Sequence, residues 1–460
     1  MTDTGTDPLF RKVLIANRGE IAVRIARTLR QMGIGSVAVY SDADAGALHV
    51  RAADEAYPIG PAPAAQSYLD GEKILAVANA SGAGAIHPGY GFLAENAGFA
   101  RRCAEEGVVF VGPPPAAIAT MGSKIEARRA AKAAGVPIVP GSEDPLDDAA
   151  QIAAVANELG YPVAIKAAAG GGGYGMRVAR SAAEVGATLD GVRRDAGRAF
   201  GDTTVYVETF FSPAPRHVEV QVLGDAHGNV VHLGERECSI QRRFQKIVEE
   251  TPSPAVSPGL REEMGAAAVA LARRMGYRSA GTIECLLDAA GRFYFLEMNT
   301  RLQVEHPVTE EVTGVDLVRE MIRIAAGLPL SVPTAGIAPR GHAIEARVYA
   351  EDPTRNFMPS PGEISAMEIP ELPNVRVDPG AAAGSKITVY YDPLIAKVIA
   401  WGEDRNAATA TLRGAVAAFR VEGIKTNLPF LARLVAGADF AAGRVHTRYV
   451  DENLASIMAG

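Results

Sequence analysis

The segment TIECLLDAAGRFYFLEMN, residues 282–299, has the pattern of two β-strands joined by a tight turn. A four-residue loop at 289–292 places Glu284 directly opposite Glu297 in the predicted antiparallel pairing. Side chains of directly opposed residues lie on the same face of a sheet. The sequence therefore predicts two carboxylates that face each other in a mostly apolar hairpin.

This pair of glutamates predicts a metal site, because facing carboxylates repel each other unless a cation neutralises them. Asn299 lies two residues beyond Glu297 and adds an amide oxygen to the same face. Ligand sets made only of oxygen select Mg²⁺ or Mn²⁺ over zinc. We therefore expect Glu284, Glu297 and Asn299 to hold a divalent cation; the competing interpretation is two solvated glutamates on an exposed strand.

A polar cluster follows the hairpin in LEMNTRLQVEHPVTE, residues 296–310. Arg301, Gln303 and Glu305 alternate as on an extended segment, which would point all three side chains the same way. A guanidinium, an amide and a carboxylate beside a metal site suit a small planar anion such as bicarbonate, whose proton Glu305 is placed to remove. An exposed edge strand has the same pattern and is the alternative.

A charged run upstream, ERECSIQRRFQKIVEE at 235–250, contains Lys246. A run of charges usually forms a solvated face, but Ile240, Phe244 and Ile247 interrupt this one. The interruption predicts partial burial.

The segment PVAIKAAAGGGGYGMRV, residues 162–178, places a run of glycines between two strand-like stretches. Gly170, Gly172 and Gly175 satisfy G-x-G-x-x-G, but a Rossmann or Walker loop leads into a helix, and the residues after Gly175 are strand-like. We therefore predict a hairpin tip that folds over a phosphate as an ATP lid, with a mobile surface turn as the alternative. Lys166 points away from its apolar strand neighbours and can reach a phosphate oxygen. A protein kinase is excluded because the sequence has no H-R-D or D-F-G motif.

Length and composition indicate a globular protein of two or three domains, with 460 residues and a formal net charge of −7. This charge balance predicts no nucleic-acid or membrane partner, and no apolar run is long enough to span a bilayer. The start, MTDTGTDPLFRK, lacks the pattern of a signal peptide. Cys103, Cys238 and Cys285 have no disulfide or metal spacing, which favours a reducing cytoplasm, and Cys238 is interpreted as a small buried residue.

Strand and helix patterns alternate at the N-terminus, which predicts an open parallel sheet to about residue 121. The first strand–helix turn carries one glycine and no G-x-G-x-x-G, so a NAD-dependent oxidoreductase is the least favoured reading. A helix near 123–134 and a small unit at 145–211, made of a helix, two strands and another helix, are expected next. Further strands are expected at 216–223, 229–234, 280–288 and 293–298, and helices at 405–419 and 427–436.

Eight stretches of the chain resemble the biotin carboxylase family of the ATP-grasp superfamily, and the resemblance runs from about residue 11 to about residue 450. The stretches are KVLIANRGEIAVRI, IHPGYGFLAEN, PVAIKAAAGGGGYGMRV, RHVEVQV, ERECSIQRRFQKIVEE, LEMNTRLQVEHPVTE, GHAIEARVYAEDP and YYDPLIAKVI. The resemblance implies a mixed α/β fold with three parts. These are a Rossmann-like domain at 1–121, an ATP-grasp domain at 122–340 with a mobile glycine-rich lid at about 142–211, and a C-terminal domain at 341–460.

The resemblance also implies roles for individual residues. The residues expected to contact ATP are Lys124, Lys166, Gly171, Gly172, Gly173, Glu208, Phe211, His217 and Gln241. The bicarbonate pocket matches Lys246, Arg301, Gln303 and Val304, and the metal site matches Glu284, Glu297 and Asn299. Glu305 matches the general base, Arg347 the residue that stabilises the biotin enolate, and Tyr90 a residue near the biotin ring. Arg347 shares a predicted strand face with Glu345 and Tyr349.

The implied reaction is the first half-reaction of an acetyl-CoA or other acyl-CoA carboxylase, with fatty acid biosynthesis as the expected setting. ATP, Mg²⁺ or Mn²⁺ and bicarbonate are its expected ligands, and it proceeds through carboxyphosphate. The sequence has no A-M-K-M-like biotin attachment motif. We therefore expect a separate biotin carboxyl carrier protein, a carboxyltransferase subunit and a homodimer.

Three residues depart from the pattern that the resemblance implies. Tyr174 stands where a basic residue is common, Thr209 where Lys or Arg is common, and Phe244 where His or Asn is common. A phenyl ring cannot donate a hydrogen bond to a ribose. These changes bear on ATP affinity and not on the reaction class.

Two alternatives stay open at this point. One is another bicarbonate-using ATP-grasp ligase, similar to carbamoyl-phosphate synthetase or urea carboxylase. The other is a non-catalytic regulatory or scaffold subunit that has kept the fold, which the three departures would favour.

Overall fold

The predicted parallel sheet is present at the N-terminus of a computed structural model that describes residues 9–168, 175–333 and 337–459. Its elements are β1 (Lys12–Ile15), α1 (Gly19–Gln31), β2 (Gly35–Tyr40), α2 (Leu48–Ala52), β3 (Glu55–Pro58), α3 (Gly71–Ser81), β4 (Ala85–His87), α4 (Ala97–Glu105) and β5 (Val109–Phe110). The strand order is β3-β2-β1-β4-β5 and every pairing is parallel.

Helix α1 buries the face that the sequence predicts. Ile21, Ile25 and Leu29 recur at helical spacing and pack into a core together with strand β1. Gly33 follows the helix with φ +71°, a backbone conformation that glycine adopts without strain. This packing fixes residues 17–20, which lie at the carboxyl end of β1.

The small unit contains one strand more than predicted. Helices α5 (Pro115–Gly122) and α6 (Lys124–Ala133) lead to it, and its elements are α7 (Ala149–Leu159), β6 (Val163–Ala167), β7 (Met176–Ala179), α8 (Val185–Phe200) and β8 (Val205–Thr209). The predicted glycine hairpin is β6–β7, which pairs antiparallel with Lys166 opposite Met176. Strand β8 pairs with the other edge of β6, and the sequence interpretation missed it.

The remaining elements build the largest sheet and the helices that cover it. They begin with β9 (Arg216–Gly224), β10 (Val230–Arg242), β11 (Gln245–Thr251), α9 (Pro258–Arg274), β12 (Ser279–Leu287), β13 (Phe293–Asn299), α10 (His306–Thr313), α11 (Leu317–Ala325) and β14 (His342–Tyr349). They continue with β15 (Glu351–Asp352), β16 (Met358–Pro359), β17 (Gly362–Glu363), β18 (Ala366–Glu368), β19 (Val375–Pro379), β20 (Lys386–Ile387), β21 (Leu394–Gly402), α12 (Arg405–Ala418), β22 (Arg420–Glu422), α13 (Leu428–Ala436), α14 (Ala438–Ala441) and α15 (Tyr449–Ala459).

Eight strands form this sheet in the order β13-β12-β9-β10-β11-β14-β21-β19. Strand β14 pairs antiparallel with β11, so residues on both sides of position 340 share one sheet. The domain boundary that we expect there therefore crosses a continuous sheet. No described helix combines the length and the apolar character that crossing a bilayer requires.

The hairpin β12–β13 pairs Glu284 with Glu297 as predicted, although the predicted turn is wrong by one residue. The loop has three residues, because Asp288 N–H donates to the carbonyl of Arg292 at 2.9 Å and Gly291 has φ +77°. A register shift between Glu284 and Cys285 then restores the predicted pairing. The bulge brings the two carboxyl side chains to one face.

Candidate active site

A cleft of about 1190 Å³ lies between the parallel sheet, the three-stranded sheet and the eight-stranded sheet. Most residues singled out from the sequence line it: Tyr90, Lys124, Lys166, Glu208, Phe211, His217, Gln241, Lys246, Glu284, Glu297, Asn299, Arg301, Gln303, Val304 and Arg347. Glu305 is fully buried beside the cleft. Gly171, Gly172, Gly173 and Tyr174 lie outside the described residues.

Lys246 is the centre of a buried cluster of charges. Its ammonium group donates to three carboxylates, at 2.6 Å to Glu219 Oε2, 2.8 Å to Glu284 Oε1 and 2.6 Å to Glu305 Oε1. Burial alone would lower the pKa of Lys246, but the three carboxylates raise it well above its usual value. Lys246 therefore stays charged, and all three of its N–H groups are in use.

Glu305 lies at the start of α10, between two cations. Arg347 NH2 donates to Glu305 Oε2 at 3.0 Å while Lys246 holds the other oxygen. Burial alone would raise the pKa of Glu305, but Lys246, Arg347 and the more distant Arg236 hold it well below its usual value. Glu305 is therefore an ionised carboxylate that can accept a proton.

The segment that carries Arg301, Gln303 and Glu305 ends in a turn at 304–305 and is not the continuous extended segment that the sequence predicts. Its residues still converge, because Arg301 NH1 donates to Gln303 Oε1 at 3.2 Å and Gln303 Nε2 donates to Glu284 Oε1 at 3.3 Å. Arg301 is held from outside by Glu95, whose Oε2 accepts from Arg301 Nε at 2.8 Å. The alternating pattern therefore predicted correctly that the three side chains lie together, although the predicted local structure was wrong.

The two facing glutamates differ in their surroundings. Burial would raise the pKa of Glu284, but Lys246 and His217, whose Nε2 lies 3.1 Å from Glu284 Oε2, lower it strongly. The pKa of Glu297 is raised by burial and by the charge of Glu284, and the positive charge of Lys124 opposes the rise. Because ionising Glu297 beside Glu284 is costly, a further positive charge at this position would stabilise the two carboxylates.

The donor set at this position fits a hard divalent cation. Glu284 and Glu297 face each other, and Asn299 lies on the same strand as Glu297. Asn299 Nδ2 donates to Glu284 Oε1 at 2.9 Å, and its oxygen accepts from Arg301 at 2.9 Å. The Asn299 amide has to turn over before its oxygen can join the two carboxylates.

The opposite end of the cleft carries two lysines. Lys166 Nζ donates to Glu208 Oε2 at 2.5 Å, and Arg128 holds the other oxygen of the same carboxylate. Lys124 lies at the start of α6, and its pKa is lowered by burial and by the charge of Lys166, while Glu297 opposes the shift. A polyanion at this end would relieve the repulsion between the two lysines.

Two of the unusual residues are described by the structure. Phe244 is 54% exposed at the tip of the β10–β11 hairpin, where it lines the cleft mouth with φ +66°. Thr209 also lines the cleft, and its backbone N–H donates to the carbonyl of Pro140 at 2.8 Å. Cys238 is fully buried, as expected, with its Sγ 3.8 Å from Glu305 Oε1.

Several residues of the cluster were not found from the sequence, namely Glu95, Glu219, Arg236, Glu249 and Lys397. Arg236 is fully buried and donates to Glu219 Oε1 at 2.6 Å and to Thr309 Oγ1 at 3.0 Å, which ties β9 and α10 to β10. Lys397 donates to the carbonyl of Val304 at 2.8 Å and so fixes the turn before Glu305. A charged residue inside an otherwise apolar strand was the signal available, because such a residue needs a partner when buried.

Family models cover most of the chain. Residues 9–118 match the biotin carboxylase N-terminal domain, 123–332 the carbamoyl-phosphate synthase L chain ATP-binding domain, and 345–452 the biotin carboxylase C-terminal domain.

Among curated relatives, biotin carboxylase 1 of Bacillus subtilis is 52% identical over 96% of this chain and 98% of that protein. The propionyl-CoA carboxylase alpha chain of Ruegeria pomeroyi is 50% identical over 96% of this chain and 68% of that protein.

A solved structure of the biotin carboxylase domain dimer of Hydrogenobacter thermophilus 2-oxoglutarate carboxylase, in complex with MgADP, ADP and bicarbonate, has a TM-score of 0.94 and 46% identity. The alignment covers 97% of this chain and 98% of that one. Biotin carboxylase of Campylobacter jejuni, in a nucleotide complex, also has a TM-score of 0.94, with 43% identity over 96% of this chain and 99% of that one.

These likenesses confirm the fold class expected from the sequence, an ATP-grasp core within a mixed α/β protein. They agree with the resemblance drawn from eight short stretches of the chain. The chain therefore belongs to the biotin carboxylase family.

Proposed function

We propose that this chain carboxylates N1′ of carrier-bound biotin, using ATP and bicarbonate, through a carboxyphosphate intermediate. The observation that carries the proposal is the placement of a buried Lys246–Glu305–Arg347 cluster at one end of a cleft whose other end holds Lys124 and Lys166. The first end suits a small anion that must lose a proton, and the second suits the phosphates of a nucleotide.

Bicarbonate binds at Lys246, Arg301, Gln303 and the backbone of Val304. As the anion takes a share of the Lys246 hydrogen bonds, Glu305 loses part of the stabilisation that lowers its pKa and becomes a stronger base. Glu305 then accepts the bicarbonate proton, and the freed oxygen attacks the γ-phosphorus of ATP. ADP leaves, and carboxyphosphate is formed.

The nucleotide phosphates lie between Lys124 and Lys166, with Glu208 holding Lys166 in place. His217, Gln241 and Phe211 complete the nucleotide site, and the glycines at 171–173 supply the further ATP contacts that the resemblance implies. Glu284, Glu297 and Asn299 hold Mg²⁺ or Mn²⁺, which when bound offsets charge on the phosphoryl oxygens. The repulsion between Lys124 and Lys166 provides part of the affinity for a polyanion.

Biotin enters beside Tyr90 and Arg347. Carboxyphosphate breaks down to CO₂ and phosphate inside the closed cleft, and the phosphate takes the N1′ proton of biotin. Arg347 stabilises the enolate oxygen that forms, and N1′ attacks CO₂. Tyr90 donates from its hydroxyl to Glu20, which fixes the ring in the lining of the cleft.

The biotin is presented by a biotin carboxyl carrier protein, and a carboxyltransferase subunit passes the carboxyl group to an acyl-CoA. The names of two relatives, propionyl-CoA carboxylase alpha chain and methylcrotonoyl-CoA carboxylase subunit alpha, support an acyl-CoA as the acceptor and an enzyme of more than one subunit. We further propose that the protein is a homodimer in the cytoplasm. Within each chain, the proposed domain boundaries lie at residues 121 and 340, and the proposed lid spans about 142–211. The three cysteines are free and buried, which suits a reducing compartment.

The decisive experiment measures ATP hydrolysis with and without bicarbonate and free biotin, in Mg²⁺. Hydrolysis that requires bicarbonate and rises with biotin supports the proposal. Stimulation by ammonia or urea alone would assign the chain to another ligase. Negligible and equal rates in wild type and Glu305→Gln would indicate a non-catalytic subunit.

A further inference from the structure

Two fully buried glutamates lie directly opposite each other behind the cleft. Glu249 of β11 and Glu345 of β14 are register partners in the antiparallel pairing, and both have 0% exposure. Directly opposed side chains have their Cβ atoms about 5 Å apart, so the two carboxyl groups can touch. Neither oxygen of Glu345 has a hydrogen-bond partner among the described residues.

The cations nearby are largely taken by other groups. Lys246 donates to three carboxylates, none of them Glu249 or Glu345. Lys397 lies 3.1 Å from Glu20 Oε2 and donates to a backbone carbonyl. Arg347 is the cation in direct contact with the pair, because its NH2 lies 2.5 Å from Glu249 Oε1 and 3.0 Å from Glu305 Oε2. Lys397 is the other positive charge that acts on Glu345.

Two opposed carboxylates with one shared cation cannot both ionise at low cost. A single proton between them removes the repulsion and supplies the missing hydrogen-bond donor. One carboxylic acid then donates to its neighbour, as in other carboxyl pairs that share a proton.

We propose that Glu249 and Glu345 share one proton and act as a positioning pair that holds Arg347 from behind. The pair then carries one negative charge, which fixes NH2 of Arg347 without neutralising the guanidinium. Arg347 Nε has no partner among the described residues, and NH1 makes one long contact of 3.4 Å to Tyr349. Because Arg347 lines the cleft, its NH1 group stays available for the biotin enolate, and this step of the inference rests on the proposed function.

The titration of both groups agrees with this arrangement. Burial raises the pKa of Glu249 to about 7, where Arg347 opposes the rise and Glu305 adds to it. Burial raises the pKa of Glu345 well above its usual value. The positive charge of Lys397 opposes this rise, and the negative charge of Glu249 adds to it. The charged and titratable groups that face the pair are Arg347 and Tyr349 from β14, Lys246 from β11, Lys397 from β21, Cys238 from β10 and Glu305 at the start of α10.

The first test detects the proton directly. Infrared difference spectra of wild type against Glu345→Gln at pH 8 should contain the carbonyl stretch of a neutral carboxylic acid. The matched control is Glu250→Gln, which removes a buried glutamate of the same strand that is ion-paired with His342 and Arg405. That difference spectrum should contain carboxylate bands and the amide bands of the new glutamine, without a carboxylic acid band. Absence of a carboxylic acid band from the Glu345→Gln difference overturns the proposal, whatever the enzyme catalyses.

The second test separates positioning from general structure. Glu249→Gln should lower the rate of biotin carboxylation about tenfold or more, while bicarbonate-dependent ATP hydrolysis without biotin falls less, so ATP consumed per carboxybiotin rises. In Glu345→Gln the pair has no shared proton to lose at high pH. The alkaline limb of the pH profile of the biotin-dependent rate should therefore move up by about one pH unit or more. Glu250→Gln should leave that limb in place. Equal losses of both activities in Glu249→Gln, or an unmoved limb in Glu345→Gln, would refute the positioning role.

The two tests also separate this inference from the proposed function. If wild type shows no biotin-stimulated hydrolysis, the proposed function fails, while the infrared band still decides whether the proton is shared.

Discussion

The two ends of the cleft hold their charged side chains in different ways. At the bicarbonate end, Lys246, Glu305 and Arg347 are linked to one another and come from three elements of the same eight-stranded sheet and its helix. At the nucleotide end, Lys124 and Lys166 come from a helix start and a three-stranded sheet, and Glu208 is the carboxylate that holds one of them.

The small unit that carries Lys166 also contains an ion pair on its surface. The ion pair between Arg177 and Asp195 has side chains that are 49% and 37% exposed, and exposed pairs contribute little to stability. The Lys246 end is held by buried ion pairs, whereas we propose that the nucleotide end closes around its ligand. Substitutions at the first end should therefore affect chemistry, and those at the second end should affect affinity.

The largest effect is expected for the group that accepts the bicarbonate proton. Glu305→Gln keeps the shape of the side chain but removes the base, so biotin carboxylation should fall about 10²–10⁴-fold. Arg347→Ala should cripple the same reaction through loss of enolate stabilisation. Carboxybiotin formation measures the rate, and calorimetry with ATP measures nucleotide affinity, which should stay largely intact in both variants. Lost ATP affinity in either variant would contradict the separation of the two ends.

The next effect concerns stability at the buried end. Arg236→Met leaves Glu219 buried without its arginine, which should cost about 3–5 kcal/mol of folding stability. The matched control is Arg129→Met, because Arg129 forms surface pairs with Glu126 and Asp144 on the nucleotide side and is 51% exposed. Its loss should cost about 0–1 kcal/mol. Thermal melting of both variants measures the difference, and equal shifts would show that burial does not distinguish these two arginines.

A smaller effect is expected where the two ends meet. Glu284→Gln removes one charge from the metal site, so the Mg²⁺ or Mn²⁺ concentration for half-maximal activity should rise about 10–100-fold. The substitution also removes one of the three carboxylates that hold Lys246, so the maximal rate should fall as well. An unchanged metal titration would remove Glu284 from the site.

Local pattern was enough to predict the elements that carry the site, but not the contacts that tune it. The pairing of Glu284 with Glu297 was predicted from a four-residue loop. The loop has three residues, and the prediction still holds because a bulge offsets the difference. Arg301, Gln303 and Glu305 were grouped correctly although their segment ends in a turn. Residues a few positions apart in the sequence stay close in space whatever the local conformation. The predicted groups were therefore correct even where the predicted local structure was wrong.

Contacts between distant strands could not be predicted in this way. Glu95 reaches Arg301 across 206 positions of the chain, and Arg347 reaches Glu305 across 42. Glu249 and Glu345 are partners because β11 pairs with β14. That strand order is set by tertiary packing, so the sequence pattern could not predict it. The sequence marks such residues as charged positions in apolar strands, without naming their partners.

The smallest effect tests the open end of the cleft. Phe244 stands at the mouth in a left-handed conformation and is 54% exposed, so its replacement removes little buried surface. A histidine at this position can donate a hydrogen bond to the ribose, which a phenyl ring cannot. Phe244→His should therefore tighten ATP binding about 2–10-fold, with the rate at saturating ATP unchanged. Phe244→Leu, measured by the same ATP titration, controls for loss of the ring alone and should not tighten binding. Equal affinities in the wild type and Phe244→His would place the ribose away from the hairpin tip, and the nucleotide end would then close without that contact.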